Sequence, residues 1–297
     1  MKIMITGSKG QVSQELQLAL AGQGEIFAFG SHELNLAIPE DISRKVRELR
    51  PDLILNPAAY TAVDKAETDR QQAFAVNAIA PGRLAEEAAQ LGIPLIHYST
   101  DYVFNGRKSS PYNEDDQPDP LNAYGESKLA GEQAIQAVGG EGLILRTSWV
   151  YSLHGKNFLL TMQRLLQERE QLSIVDDEIG APTWAGTIAS ITAQLIRRWQ
   201  DEKQALKGLY HLTSTGETSW NGFATSIGER LKELNKPCAR IERISSKDYP
   251  SAARRPLNSR LDCSRLQREW NVHLPHWESA LSRCLEQSVH PNIPLTA

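Results

Sequence analysis

The chain is expected to be an α/β protein: a Rossmann-type, doubly wound parallel sheet with a smaller C-terminal substrate-binding region. Three observations lead there. Short apolar runs alternate with amphipathic stretches through the first 150 residues, at the spacing of βαβ units. The runs are continuously apolar instead of alternating, as strands are when helices cover both faces of a sheet. The first run ends in a glycine turn that opens a helix.

The elements follow in order. Residues 2–6 read as a buried strand, and the turn Gly7-Ser-Lys-Gly10 leads into a helix over 11–21 carrying Val12, Leu16, Leu18, Ala19 and Leu20 on its apolar side. Residues 25–29 form a second strand, and 39–50 a helix with Pro39 at its start. A third strand over 52–56 stops at Pro57. A long alanine-rich helix over 68–91 closes at Gly92, and a fourth strand runs from Pro94 to Ser99. A loop rich in Pro, Asp and Asn precedes a helix that holds Tyr124 and ends at Gly139-Gly140, and 142–147 is the fifth strand. Beyond Tyr151 the alternation loosens into a helix (157–169), a short strand (171–175), a helix (186–200) and short elements between proline-containing loops. The division is therefore a dinucleotide-binding domain over 1–150 and a mainly substrate-binding region over 151–297, the two free to exchange elements.

Net charge of −4 argues against a nucleic-acid or anionic-membrane surface. The N-terminal apolar run is too short for a signal peptide or membrane span, and three cysteines without metal spacing fit a reducing, cytoplasmic setting.

The chemistry sits in two places. Gly7-x-x-Gly10-x-x-Ser13 between strand and helix suits close approach of a pyrophosphate to backbone N–H groups at a helix N-terminus. Ser13 stands where a third glycine is usual. Strand two ends in Phe29-Gly30-Ser31-His32, with three residues between Phe29 and Glu33. No carboxylate stands at the place that would repel a 2′-phosphate, and Ser31 or His32 could donate to one. NADPH is therefore expected to serve at least as well as NADH.

The second place is Tyr124 and Lys128, one helical turn apart on one face. Carbonyl reduction needs a hydride donor, a proton donor and a group holding the carbonyl oxygen. Tyr124 supplies the proton. The Lys128 ammonium is expected to stabilise the phenolate that forms, and a shift of about three units would be worth roughly 4 kcal/mol. Thr100, or Ser99, at the end of the fourth strand would hydrogen-bond the same oxygen.

These residues together resemble the extended short-chain dehydrogenase/reductase superfamily. Longer blocks narrow the resemblance to the dTDP-4-dehydrorhamnose reductase family. They are Asn56-Pro-Ala-Ala-Tyr-Thr-Ala-Val-Asp-Lys-Ala-Glu67, Ser99-Thr-Asp-Tyr-Val-Phe-Asn-Gly106, Pro111-Tyr-x-Glu-x-Asp, Arg146-Thr-Ser-Trp-Val-Tyr151, Gly180-Ala-Pro-Thr183, Gly208-Leu-Tyr-His-Leu212 and Arg255-Pro-x-Asn-Ser-Arg-Leu261. The resemblance implies NADPH- or NADH-dependent reduction of the C4 ketone of dTDP-4-dehydro-L-rhamnose, giving dTDP-L-rhamnose for surface polysaccharide. It implies catalytic roles for Thr100, Tyr124 and Lys128, with Lys128 also holding the nicotinamide ribose. Gly7, Gly10, Gln11, Val12, Ala58, Ala59 and Tyr60 match cofactor-contacting positions. Val63, Asp64, Tyr102 and Trp149 match positions near the sugar nucleotide.

Some members form a homodimer around magnesium. Glu15 matches one of its carboxylates, but Trp184-Ala-Gly186 stands where another is expected, so no metal-bridged dimer is expected and a plain homodimer stays open. Position alone leaves Trp149 as either core or sugar wall, and Arg255 as either a surface charge or a pyrophosphate partner. Asp176-Asp-Glu178 reads as solvated acids, and His273 and His276 have no partners for zinc. Two other functions remain: another 4-keto sugar nucleotide reductase or epimerase, or a non-catalytic NADP-binding regulatory subunit. The intact Thr100, Tyr124 and Lys128 favour an enzyme.

Overall fold

The computed structural model describes residues 1–289. The last eight residues of the expected substrate-binding region, 290–297, lie outside the described residues.

The first half runs β1 (Lys2–Thr6), α1 (Gln11–Ala19), β2 (Glu25–Phe29), α2 (Pro39–Leu49), β3 (Leu53–Asn56), α3 (Val63–Ala66), α4 (Arg70–Phe74), α5 (Ala80–Leu91), β4 (Leu95–Thr100), α6 (Ala123–Val138) and β5 (Gly142–Thr147). The second half runs β6 (Val150–Tyr151), α7 (Phe158–Glu168), β7 (Gln171–Val175), β8 (Ile179–Gly180), β9 (Thr183–Trp184), α8 (Ala185–Glu202), β10 (Gly208–His211), β11 (Thr218–Ser219), α9 (Trp220–Glu233), β12 (Arg240–Ile244), α10 (Ser264–Trp270) and α11 (Trp277–Val289).

Six strands form one parallel sheet in the order β10-β5-β4-β3-β1-β2. The winding direction reverses between β1 and β3, and a crevice opens beyond the carboxyl ends of strands at such a reversal. Strands β3 and β4 are buried along their whole length: their first residues are apolar, and the polar Asn56, His97, Ser99 and Thr100 lie toward their carboxyl ends. One sheet face is packed by a cluster including Ile3, Ile5, Leu16, Leu55, Ile188 and Leu195; the other by Met4, Ile42, Val46, Ile54, Leu84 and Ile144. A separate core gathers Tyr151, Leu159, Leu166, Trp184, Phe223, Trp277 and Cys284 from the second half. Strand β10 crosses back from that half to pair with β5, Leu209 beside Ile144.

The helix expected over 68–91 is continuous in space but changes pitch. Between α4 and α5, residues Ala75–Ile79 form a π-helical turn. Such turns carry one extra residue per turn and often serve functional positions. Here the turn presents Asn77, whose side-chain oxygen accepts from Tyr60 N (2.8 Å). Its Nδ2 donates to Tyr60 O and to Ser127 Oγ, both at 3.0 Å.

Helix α6 is the element that carries Tyr124 and Lys128, and it lies unusually close to its neighbours. A Cβ at Gly131 would sit 2.1 Å from the Asn77 carbonyl oxygen, and one at Gly125 would sit 2.2 Å from the Tyr102 carbonyl oxygen. Asn122 caps the helix by accepting from Gly125 N, and Gly139 ends it in the left-handed conformation. Gly131→Ala must push α6 off a backbone carbonyl. It is expected to lower stability by about 1–3 kcal/mol, read as a lower urea midpoint at unchanged slope. An unshifted midpoint would show that the seat yields freely.

Candidate functional site

At the β1–β3 reversal the turn after β1 is held on both sides. Gly7 N and Ser8 N donate to Phe29 O at 2.8 and 3.1 Å, and Gly10 N donates to Gly7 O. Gly7 has φ +69°, and a Cβ there would meet Ala58 Cβ at 2.9 Å, so the turn lies against the loop after β3 with no room for a side chain. Gly10 precedes α1 with no side-chain cap, leaving the first-turn amides directed at the crevice. Ser13, at the third-glycine position, is buried.

A cavity of about 790 Å³ opens here. Of the expected cofactor residues, Gly7, Gly10, Gln11, Val12, Ser31, Ala58 and Ala59 line it, together with Ser99, Tyr124 and Lys128. Tyr60 does not: its hydroxyl donates to Asp69 Oδ2 at 3.1 Å and its backbone is clamped by Asn77. At the far end the wall includes Ser31, His32, Asn35 and Lys9, all of which can donate to an anion. Glu33 is folded back, its carboxylate accepting from Gly30 N at 2.9 Å.

The other end of the cavity is the β4–α6 junction. Lys128 is buried, and its ammonium donates to Tyr98 O at 2.6 Å and meets His97 Nε2 at 3.2 Å. His97 Nδ1 lies 3.0 Å from Asn56 Nδ2, and Asn56 Oδ1 accepts from Thr6 Oγ1 at 2.6 Å. A polar thread thus crosses three strand ends to reach the lysine. Nε2, facing an ammonium, must accept, so Nδ1 carries the ring proton of a neutral His97 and bonds the Asn56 backbone. Burial holds its pKa well below the usual histidine range, with Lys128 adding to the effect. Burial also brings Lys128 down to about 8.

The expected lowering of Tyr124 by Lys128 is not what the protein shows. The ammonium is engaged by Tyr98 and His97, and burial pushes the Tyr124 phenol up to about 12, with a hydrogen bond to Thr100 opposing and the Asp101 charge adding. Tyr124 is therefore a firmly protonated donor. Its ring meets that of Tyr102 edge-on, centroids 5.6 Å apart.

Thr100 Oγ1 accepts from Tyr102 N at 3.2 Å and donates to Asp101 Oδ1 at 3.1 Å. The Ser99 hydroxyl points elsewhere, donating to Glu132 Oε1. Glu132 in turn receives two guanidinium bonds from Arg146, at 2.9 and 2.6 Å, with both side chains buried. This pair ties α6, the helix that carries Tyr124 and Lys128, to β5. Removing one partner of such a pair costs about 3–5 kcal/mol, because the other charge is left buried.

The remaining expected substrate residues lie outside the cavity lining, on the side facing the second half. Asp64, next to Val63 at the start of α3, accepts from Ala253 N at 3.0 Å and pairs with Arg255 at 2.8 Å. Trp149 has φ +48° and stacks on Trp220 with centroids 3.6 Å apart, over Gly180, where a Cβ would collide with the indole. Trp220 Nε1 donates to Glu178, whose carboxyl burial pushes up. The expectation that Glu178 is merely solvated is thus corrected, since it is buried against an indole. Sequence reasoning missed Asn77, Asp101, Glu132, Glu178 and Trp220 as members of this constellation. Asp101 alone had a signal, its place inside Ser99-Thr-Asp-Tyr102.

Glu15 is the carboxylate matched to a bridging metal, and Trp184-Ala-Gly186 offers none to join it. Among the described residues no three of His, Cys, Asp and Glu converge. Glu15 is buried with Oε2 unpartnered and is pushed up to about 7 by burial, while the Trp184 indole covers Gly186.

Comparison with known proteins gives a consistent set. The family pattern of the RmlD substrate binding domain matches residues 1–290. The dTDP-4-dehydrorhamnose reductase of Burkholderia thailandensis is 46% identical, covering 96% of this chain and 98% of its own. The enzyme of the same name from Escherichia coli is 43% identical over 97% and 98%. The crystal structure of dTDP-4-dehydrorhamnose reductase from Bacillus anthracis in complex with NADP superposes with a TM-score of 0.89 at 35% identity, covering 96% of this chain and 99% of that one. Gly7→Ala places a Cβ against Ala58 in a left-handed backbone. NADPH affinity, read by fluorescence titration, is expected to fall about tenfold or more, a loss of at least about 1.4 kcal/mol. Unchanged affinity would remove the turn from cofactor binding.

Proposed function

Because this chain belongs to the dTDP-4-dehydrorhamnose reductase family, we propose that it reduces the C4 ketone of dTDP-4-dehydro-L-rhamnose to dTDP-L-rhamnose with NADPH. The observation that carries this is the placing of Tyr124 and Lys128 at one end of a crevice whose other end is the glycine turn after β1, with Thr100 behind the lining and bonded to Tyr124. When bound, the dihydronicotinamide supplies the hydride.

The chain's own residues do the rest. Ser31, His32 and Lys9 at the far wall, with Glu33 turned away onto Gly30, support use of the 2′-phosphorylated cofactor. Lys128 spends donors on Tyr98 and His97 and keeps a third for a ribose hydroxyl. Tyr124 Oη gives its proton to the C4 oxygen as charge develops there. A phenol near 12 still gives this proton downhill, because an alkoxide resembles hydroxide, whose conjugate acid lies near ~15.7. Thr100 holds the same oxygen. Asp64, Tyr102, Trp149 and Arg255 face the side from which a sugar nucleotide would enter, with the Trp149–Trp220 stack as an apolar wall. The three unpaired cysteines support a cytoplasmic setting. Among the described residues no helix is long and apolar enough to cross a membrane.

The test is to mix the protein with NADPH and dTDP-, GDP- and UDP-linked 4-keto sugars and follow loss of absorbance. Consumption with the dTDP sugar is expected. A protein that interconverts sugars with no net consumption is an epimerase, which sinks the proposal. Tyr124→Phe is expected to lower kcat by about 10²–10⁴-fold while NADPH still binds. Lys128→Met is expected to weaken both turnover and NADPH binding, and a loss confined to turnover would misplace the ribose contact.

A further inference from the structure

Thr100 has one hydroxyl proton, and that proton goes to Asp101 Oδ1 at 3.1 Å while the oxygen accepts from Tyr102 N. The same hydroxyl bonds the Tyr124 phenol. A hydroxyl whose proton is held by a carboxylate cannot also donate to a ketone oxygen. The bond that lowers the Tyr124 phenol is one that Thr100 donates, so as long as Asp101 is ionised and holds that proton, Thr100 can offer it neither to Tyr124 nor to a ketone.

Asp101 is 3% exposed, and its Oδ2 has no hydrogen-bond partner among the described residues. A buried carboxylate with one oxygen bare is costly, whereas a buried carboxylic acid leaves only a neutral carbonyl oxygen unpaired. Burial pushes this carboxyl up to about 7, the Glu178 charge adds to the rise, and the Ser259 and Thr100 hydroxyls oppose it. The other groups around it are the phenols of Tyr102 and Tyr124, and Arg255, which acts on Tyr102 and Glu178.

We propose that Asp101 is a positioning residue for the reduction: as a neutral acid it donates to Thr100 Oγ1, which turns the Thr100 proton toward the Tyr124 oxygen and the ketone. Asp101 keeps its proton throughout. The proton that reaches the C4 oxygen is Tyr124's, and Tyr124 is refilled from solvent, so each turnover consumes one proton and one hydride. This rests on the ketone-reductase reading.

The sign follows from the raised carboxyl. The competent form is the protonated one, complete below about pH 7 and lost as pH rises through it. Wild-type kcat for the ketone, measured from about pH 6 to about pH 8.5, is expected to fall by about tenfold over the upper half of that range, with KM little changed. Asp101→Ala is expected to lower kcat at pH 7 by about tenfold or more. Asp101→Asn, whose amide always donates, is expected to recover part of that loss and to lack the fall centred near pH 7, keeping only the shallower loss near pH 8 that titration of Lys128 gives.

A wild-type profile flat to about pH 8.5, or an Asn variant that keeps the fall, overturns the proposal. A second measurement needs no turnover. The infrared band of a protonated carboxyl, taken as wild type minus Asp101→Asn, should be present at about pH 6 and gone by about pH 8.5. Its absence at the lower pH overturns the proposal even if every variant is active. If the wild type reduces no 4-keto sugar yet shows the band, the reductase reading fails and the protonation of Asp101 stands.

Discussion

The structure depends on how closely one helix can lie against its neighbours. Two glycines on α6, Gly125 and Gly131, bring its backbone against the Tyr102 and Asn77 carbonyls. No larger residue permits that approach. Asn77 then reaches Ser127 on α6 and Tyr60 in the β3 loop at once, so the helix is referenced to the same loop that forms the cavity wall. From this seat Lys128 drops into the protein to reach Tyr98 O, and Tyr124 one turn earlier is left at the cavity surface. The π-helical turn is what places the Asn77 side chain there, since a regular α-turn would rotate it away.

Around that seat, charge is buried in an ordered way. Glu132 and Arg146 neutralise one another beneath β4 and β5 with paired hydrogen bonds. Lys128 has no carboxylate of its own; a neutral histidine and a carbonyl solvate it, at the cost of a lowered pKa. Asp101 is the least compensated of these groups, with one oxygen bare. Such groups persist where function requires them, because an apolar replacement would be easier to bury. Family membership and the bound NADP of the Bacillus anthracis enzyme agree with the crevice that these elements frame.

Much of this was legible in the chain, for reasons that can be named. A strand covered on both faces is mostly apolar, with polar residues toward its carboxyl end, so the runs in β1, β3, β4 and β5 announce themselves. A left-handed turn pressed against Ala58 demands Gly7, and a one-turn spacing puts Tyr124 and Lys128 on one helix face. The rest involved partners far apart in sequence. Strand β10 reads as an ordinary short segment and becomes a sheet strand only when β5 offers it an edge. Asp64 and Arg255 are 191 residues apart. The stacking of Trp149 on Trp220 depends on a left-handed tryptophan and a bare Gly180, neither visible as a local pattern.

By itself the sequence determined the parallel α/β sheet, the glycine turn after β1 and the placing of Tyr124 and Lys128 on one helix face, because each is set by local periodicity or by a residue type that a local backbone shape requires. Only the tertiary structure decided their electrostatic state. Which group faces the Lys128 ammonium, why Tyr124 is a weaker acid than its neighbour would suggest, and which oxygen of Asp101 is left bare all follow from burial and from contacts across strands. Those terms vary with distance in space and leave no periodic mark along the chain.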